Sequence, residues 1–261
     1  MFKLNYRDLI LSSGFFAPAG KHEAAGVLST AHFLYVALTA LALLFALKRV
    51  KRDNIRKSVR RLTLLLWLLE AAKIFLCIKN GNTDINETVP LYYCSITLYA
   101  GLLSGFCGGK LRRMGDVFLA SGGVVGGVVF LALPLSSFSV YPPLHFITLQ
   151  SVFLHGCMVY MGLALVLSGV ELTQRDILYY APCVLAVCVL ALIINGIYGS
   201  NLMFISQNYP STPIEILYKL CPGVLFTVSC VLGQLTLPFY GSFCLYRLAK
   251  GLPRLKKDCR G

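Results

Sequence analysis

The chain has 261 residues, of which 57% are hydrophobic and only 13% are charged. A soluble domain usually carries roughly 25% charged residues, so this composition excludes an ordinary soluble domain and predicts an integral membrane protein. The net charge of +13 does not indicate nucleic-acid binding, because the basic residues flank apolar segments and are not interleaved with aromatic or glycine-rich RNA-binding patterns.

Apolar segments of about the length that crosses a bilayer as a helix, roughly 20 residues, recur along the chain. They cover residues 27–47, 62–80, 88–109, 117–135, 145–170, 177–198 and 217–247. The sequence therefore predicts an all-α polytopic membrane protein, with a bundle of seven transmembrane helices within residues 27–247. Residues 1–26 are expected to form an interfacial segment on the outer side, because the stretch 8–20 is too short to span and lacks the pattern of a signal peptide.

Positive charge falls in alternate gaps between these segments. The first gap contains Lys48, Arg49, Lys51, Arg52, Arg56, Lys57, Arg60 and Arg61, whereas the second gap and the segment 136–144 carry little or no positive charge. Basic loops remain in the cytoplasm. We therefore expect a multi-pass protein of the cell membrane whose basic tail, residues 248–261, is cytoplasmic and whose N-terminus is outside.

Polar residues inside the apolar segments are the main functional signal, because ionisable groups in a bilayer are costly and normally face the interior of a bundle. Counted at about 1.5 Å per residue, several of them lie at similar depth in the outer half. This predicted polar layer consists of His32, Glu70, Lys73, Cys94, His155 and the nearby Asn195. Glu70 and Lys73 are three residues apart and can pair on one helix face, so a purely structural ion pair is an equal alternative.

The chain contains 10 cysteines but no CxxC pair, which argues against a disulfide framework and against zinc. No nucleotide-binding, serine-hydrolase or metalloprotease fingerprint occurs, and we expect no metal and no organic cofactor. Cys94 is a candidate nucleophile only if a base such as His155 or His32 lowers its pKa, since an apolar setting alone would raise it.

The fourth segment carries a small-residue face formed by Gly122, Gly123, Gly126 and Gly127. Such a face lets another helix approach closely. It could hold a helix of the same chain or support a homo-oligomer, and the sequence does not discriminate between the two.

The last outer loop, between segments six and seven, is rich in turn-forming residues. Asn201, Gln207 and Asn208 lie in it. We expect this loop to form a lid over a site near the polar layer, with a solvated connector as the alternative.

Short stretches of the sequence resemble a known family. They are FFAP and STAHFLYV near segment one, LLEAAKIF in segment two, VPLYYCSI at the start of segment three, LQSVFLHGCMVYMGLAL in segment five and INGIYGSNLMFISQNYPSTPI around the last outer loop. These stretches resemble bacterial integral membrane proteins of the YwaF type, which are related to the eukaryotic transmembrane protein 164 group. The resemblance implies a seven-helix bundle and a bacterial cytoplasmic membrane.

The eukaryotic relatives look like lipid acyltransferases that use a cysteine and a histidine within the membrane. His155 and His32 match histidines of the family. In the eukaryotic pattern the cysteine directly follows the proline of segment three, a place that Leu91 occupies here, whereas Cys94 lies one helical turn farther along. Cys94 is therefore a candidate for the role of the family's cysteine because it lies close to that position, although it does not align with it.

The leading hypothesis is a membrane-embedded lipid acyltransferase or acyl hydrolase that acts on phospholipid in a cavity facing the outer leaflet. In it His155 would be the general base and Cys94 or a water molecule the nucleophile. The alternatives are a small-solute transporter or ligand-binding membrane protein that uses the same polar layer, and a structural subunit.

Overall fold

The computed structural model describes residues 14–210 and 212–251. This part of the chain is helical, with 72% helix and no strand. We label its helices α1 Thr30–Leu47, α2 Ile55–Lys79, α3 Ile85–Thr88, α4 Ile96–Phe106, α5 Gly109–Phe118, α6 Val124–Ala132, α7 Phe146–Leu167, α8 Ile177–Tyr198, α9 Pro213–Leu220 and α10 Val224–Gly251. A π-turn, Leu119–Gly123, joins α5 to α6.

Five helices are long and apolar enough to cross a membrane. They are Thr30–Leu47, Gly109–Ala132 with its π-turn, Phe146–Leu167, Gln174–Tyr198 and Val224–Gly251. Helix α2 is 25 residues long but carries Glu70 and Lys73 within its apolar stretch, and α4 has only 11 residues. The chain is therefore a multi-pass helical membrane protein with at least these five apolar helices.

Two predicted segments are interrupted in the structure. Residues 89–95 of the predicted segment 88–109 form turns, and the helix begins only at Ile96. The predicted segment 217–247 is broken between α9 and α10, where Pro222 forces Cys221 out of the helical region (φ −131°, ψ 73°) and Gly223 takes a left-handed φ of 66°. A residue before proline disfavours the α region, and glycine adopts positive φ without strain.

The glycines of the fourth segment pack against neighbours in the same chain. A Cβ on Gly127 would lie 2.7 Å from the carbonyl oxygen of His155, and one on Gly122 would lie 2.3 Å from the hydroxyl oxygen of Tyr93. Close backbone approach of this kind needs the absence of a side chain. These glycines therefore seat α7 and Tyr93 on the π-turn and α6 at the centre of the molecule.

One end of the bundle holds ion pairs between its loops, and we call it the basic side. The Arg56 guanidinium binds both carboxylate oxygens of Asp116 at 2.5 and 2.6 Å, and Arg113 binds Asp176 at 2.9 and 2.5 Å. Lys250 pairs with Glu171 on the same side. These pairs join the start of α2 to α5, α5 to the start of α8, and the loop before α8 to the end of α10.

The other end, which we call the opposite side, is joined by hydrogen bonds between neutral groups. The Asn86 side chain accepts from the backbone N–H of Asn201 at 2.8 Å, and Ala25 N–H donates to the carbonyl of Tyr141 at 2.8 Å. Residues 14–26 thus fold onto the loop before α7. The predicted N-terminal segment 1–26 is described only from residue 14, and residues 252–261 of the predicted tail lie outside the described part.

Candidate functional site

A buried polar cluster lies between α2 and α7. The Glu70 side chain is only 3% exposed, and its Oε1 lies 2.6 Å from the Lys73 ammonium. Its Oε2 accepts a hydrogen bond from Gln150 Nε2 at 3.0 Å. Spacing of three residues on α2 brings the two charges together as predicted, and Gln150 on α7 completes the set. We call Glu70, Lys73 and Gln150 the polar cluster.

Cys94 adjoins this cluster. It lies in the turn directly before α4 and is half-buried, and the charges of Lys73 and Glu70 act on its thiol. Among the residues predicted for the polar layer, the structure thus brings Glu70, Lys73 and Cys94 into one place.

Glu87 is a further acidic group at this place. It lies on α3, outside the apolar helices; burial raises the pKa of its carboxyl, and the nearby Lys73 charge lowers it. Glu87 lies in the second gap between the predicted segments and was not predicted to belong to the polar layer. The short helix α3, which begins where the Asp84 side chain accepts from Asn86 N–H at 2.9 Å, turns Glu87 back toward Lys73, and only the fold reveals this.

His155 lies on another face of α7. Its ring stacks on Phe130 with 3.6 Å between centroids and 7° between planes, and its Nδ1 lies 2.7 Å from the Ser151 carbonyl oxygen. Because a carbonyl only accepts, Nδ1 carries the proton, and Nε2 of the neutral ring has a free lone pair. No hydrogen bond joins His155 to Cys94 within residues 14–210 and 212–251.

His32 also contacts the end of α6 and not the polar cluster. Its Nε2 lies 2.8 Å from the Leu131 carbonyl oxygen, and its Nδ1 accepts from the Leu28 N–H at 3.2 Å. Both ring nitrogens are therefore in use, in a tautomer with the proton on Nε2. His32 is the buried residue by which α1 is anchored to the bundle.

Asn195 organises the loop that follows α8. Its amide nitrogen donates to the Leu202 carbonyl at 3.1 Å and to Ser206 Oγ at 2.7 Å. Its oxygen accepts from Ser200 Oγ at 2.7 Å and from Leu202 N–H at 2.8 Å. Each of its polar atoms has protein partners, so Asn195 holds the loop and has no free group to offer a substrate.

Two of the residues predicted to form a lid make hydrogen bonds within the loop. The Asn201 side chain accepts from the N–H groups of Ser206 and Gln207 at 3.1 and 3.0 Å, and the Gln207 amide donates to the Gly199 carbonyl at 2.8 Å. The buried Oδ1 of Asn208 has no hydrogen-bond partner in the described protein. The loop is thus a compact, internally bonded structure.

This loop is inserted into the bundle by its apolar residues. Leu202 and Met203 are buried, and the ring of Phe204 lies 5.1 Å from that of Tyr92. Met203 and Phe204 adopt left-handed φ values of 59° and 54°, which non-glycine residues rarely do. The Gln234 amide on α10 donates to the Met203 carbonyl at 2.9 Å and helps to fix this conformation.

A second polar chain was missed in the sequence. The Tyr180 hydroxyl donates to the Gln234 carbonyl at 2.8 Å, so it accepts from the Tyr93 hydroxyl 2.7 Å away. Tyr93 lies near the start of predicted segment three, and its side chain points inward onto Gly122. The run of glycines in segment four was the signal that a large side chain packs there.

The predicted polar layer is therefore divided into three groups. Glu70, Lys73 and Cys94 surround one place between α2, α4 and α7, His32 and His155 flank the end of α6, and Asn195 belongs to the loop. The first group combines a thiol, an ammonium and a carboxylate, which are groups for nucleophilic and acid–base chemistry. Among the described residues no set of three or more His, Cys, Asp or Glu could hold a metal ion.

Comparison with known proteins identifies a family. Neither the curated proteins nor the solved structures include a match to this chain. The model of the TMEM164 family matches residues 27–240, which includes all the residues described above for the polar cluster, Cys94, both histidines and the last loop. This chain belongs to the TMEM164 family.

Proposed function

We propose that seven helical segments cross the membrane, the five apolar helices together with α2 and the shorter α4. The supporting observation is that the loop contacts fall into two groups, one at each end of the bundle. With basic loops in the cytoplasm, the basic side faces the cytoplasm and the opposite side faces outward. We further propose that this membrane is the cell membrane, which is the location that the resemblance to bacterial YwaF-type proteins implies.

The function that we propose is acyl chemistry on phospholipids within the membrane, either transfer of an acyl group or its hydrolysis. The observation that carries the proposal is the position of the Cys94 thiol beside the Lys73–Glu70 pair. The thiolate and not the thiol is the nucleophile, so a base near the sulfur has to take its proton during the attack. Gln150 fixes the carboxylate through its hydrogen bond.

The reaction would proceed in two steps. The Cys94 sulfur attacks the ester carbonyl carbon of a phospholipid while its proton passes to a base; a thioester forms, and the lysophospholipid leaves with a proton as the alcohol. A second lysophospholipid or a water molecule then attacks the thioester, which releases the acyl product and returns the proton to the sulfur. Transfer and hydrolysis differ only in this second nucleophile.

The geometry offers two candidates for the base. One is Glu70, the carboxylate of the polar cluster that Cys94 adjoins. His155, the base predicted from the sequence, has a free Nε2 but stacks on Phe130. Glu70→Gln keeps the hydrogen-bonding shape and removes the base, whereas His155→Ala removes the ring, so the two variants distinguish these roles.

The test is acyl exchange in lipid nanodiscs. The purified protein is incubated with isotope-labelled phospholipid and a lysophospholipid acceptor, and labelled phospholipid and free fatty acid are measured by mass spectrometry. We expect label to move with the wild type and to fall to the protein-free background with Cys94→Ala. Cys183→Ala, which removes a buried thiol elsewhere in the core, serves as the matched control and should keep full activity.

Two results would overturn the proposal. One is the absence of label movement across several head groups in a folded wild-type protein. The other is full activity of Cys94→Ala, which would mean that the thiol takes no part. Unfolding temperatures of all variants must be compared first, so that a loss of activity reports on chemistry and not on folding.

A further inference from the structure

An open groove lies on the flank of the bundle between α1, α2 and α7. Its volume is about 600 Å³, and its lining is mostly apolar, with residues 38–46 of α1 on one wall and residues 149–160 of α7 on another. Such a volume lies within the roughly 300–1,000 Å³ of typical ligand pockets.

The groove exists because α1 is attached to the bundle along one edge only. It packs against α7, where Gly156 allows the Thr39 side chain to come within 3.1 Å of the place that a Cβ would occupy. It is not packed closely against α2, and His32 is its buried residue. The space left between α1 and α2 therefore opens sideways, in the direction of the lipid.

The groove has the length of one acyl chain. Leu149 and Tyr160, the lining residues farthest apart on α7, are 11 residues apart, or about 16 Å at 1.5 Å per residue. This is about half of the roughly 30 Å hydrocarbon core of a bilayer. A lipid tail of a single leaflet would thus extend along the groove.

One end of the groove carries a cation without an anionic partner. Arg61 and Ser58, in the first two turns of α2, line this end. The neighbouring arginines are engaged, Arg56 with Asp116 and Arg60 with the Gly105 carbonyl at 2.5 Å. Arg61 makes no ion pair or hydrogen bond within the described chain, and a guanidinium binds phosphate with paired hydrogen bonds.

We propose that this groove binds an anionic phospholipid, with an acyl chain between α1, α2 and α7 and the phosphate on Arg61. Charge complementarity selects an anionic over a zwitterionic lipid, because an unpaired cation at the mouth of an apolar groove favours a net negative head group. Cys94, Glu70, Lys73 and Gln150 are not among its lining residues. The site is therefore separate from the proposed acyl chemistry and does not depend on it.

Native mass spectrometry of the full-length protein tests the proposal. The protein is extracted from bilayers that contain equal amounts of phosphatidylglycerol and phosphatidylcholine with identical acyl chains, and the lipids that stay bound are counted. We expect the wild type to retain phosphatidylglycerol preferentially. Arg61→Gln should reduce that retention by about tenfold or more, since charge-assisted hydrogen bonds are strong, whereas Lys110→Gln removes the same charge from α5 and should change nothing.

A second variant pair tests the acyl-chain part. Ala42 lines the groove, so Ala42→Trp should fill it and abolish retention of phosphatidylglycerol, while Ala40→Trp, on another face of α1, should not. Equal retention of both lipids by the wild type, or undiminished phosphatidylglycerol in Arg61→Gln, would overturn the proposal. Arg61 is exposed, so we expect Arg61→Gln to fold. Its lipid retention therefore tests the proposal even if Ala42→Trp does not fold.

Discussion

Glu70 is buried, and its two oxygens are bound by Lys73 and Gln150 from two different helices. Such a pair lowers the free energy of the folded state only while both partners are present, because a lone buried charge bears the full cost of its desolvation. The arrangement therefore has a stability signature that is independent of any catalytic role.

We predict that Lys73→Met destabilises the protein by about 3–5 kcal/mol, the typical cost of breaking a buried ion pair. The double variant Glu70→Leu/Lys73→Met should recover a large part of this loss, because no unpaired charge remains. Unfolding free energies measured with denaturant in detergent check the prediction. A double variant that is less stable than Lys73→Met would contradict it.

Asn195 offers a second test at this scale. Asn195→Leu removes four hydrogen bonds to residues 200–206 and should release the loop from the bundle while the helices remain. We expect faster amide hydrogen exchange in residues 199–208 and little change in α7. Asn201→Ala, which loses only side-chain hydrogen bonds within the loop, should show a smaller effect; equal exchange in wild type and Asn195→Leu would refute the prediction.

Single residues were only partly predictable from the sequence. The Glu70–Lys73 pair followed from their spacing on one helix. The separation of His155 from Cys94 could not be predicted, because it depends on which face of α7 meets α6. In a segment that is apolar all round, the sequence does not show which face packs against a neighbouring helix. Glu87 was missed for a related reason, since a loop charge becomes buried only through tertiary packing.

At the scale of elements, the glycines and prolines determine the architecture. Gly127 allows α6 to meet the backbone of α7, and the Pro222–Gly223 pair separates α9 from α10. The predicted boundaries hold where a segment is uniformly apolar, as in α8. They fail at residues 89–95 and 221–223, because hydropathy does not register where the backbone leaves the helical region.

We predict opposite outcomes for two glycine-to-alanine changes in helices. Gly127→Ala places a methyl group 2.7 Å from the His155 carbonyl oxygen and should destabilise the protein by about 1–3 kcal/mol, as overpacking does. Gly196→Ala meets nothing within 4 Å and should be neutral or slightly stabilising, because alanine favours helix. Thermal unfolding in detergent distinguishes them; a neutral Gly127→Ala would mean that α6 and α7 can separate at little cost.

At the scale of the whole molecule, the two ends differ in chemistry. The basic side is held by charged pairs and the opposite side by amides and backbone groups. The difference between the two ends agrees with the alternation of lysine and arginine along the sequence. A basic end of the bundle could be predicted because the rule for basic loops needs only the order of the segments and no knowledge of their packing.

The orientation can be tested in intact cells with a membrane-impermeant maleimide. Thr83→Cys, in an exposed loop on the opposite side, should be labelled from outside above the level of the parent protein. Asp53→Cys, exposed on the basic side, should be labelled only after the membrane is permeabilised. The reverse pattern would invert the proposed topology.

The shortness of α4 has a consequence for hydration. Its 11 residues extend about 16 Å, so in the proposed topology roughly half of this crossing is made by the non-helical residues 89–95. Non-helical backbone at membrane depth persists only inside protein or beside water. Residues 89–95 are buried or half-buried, so protein and not lipid surrounds this stretch, and any water that reaches Cys94 near its inner end would have to come through the protein.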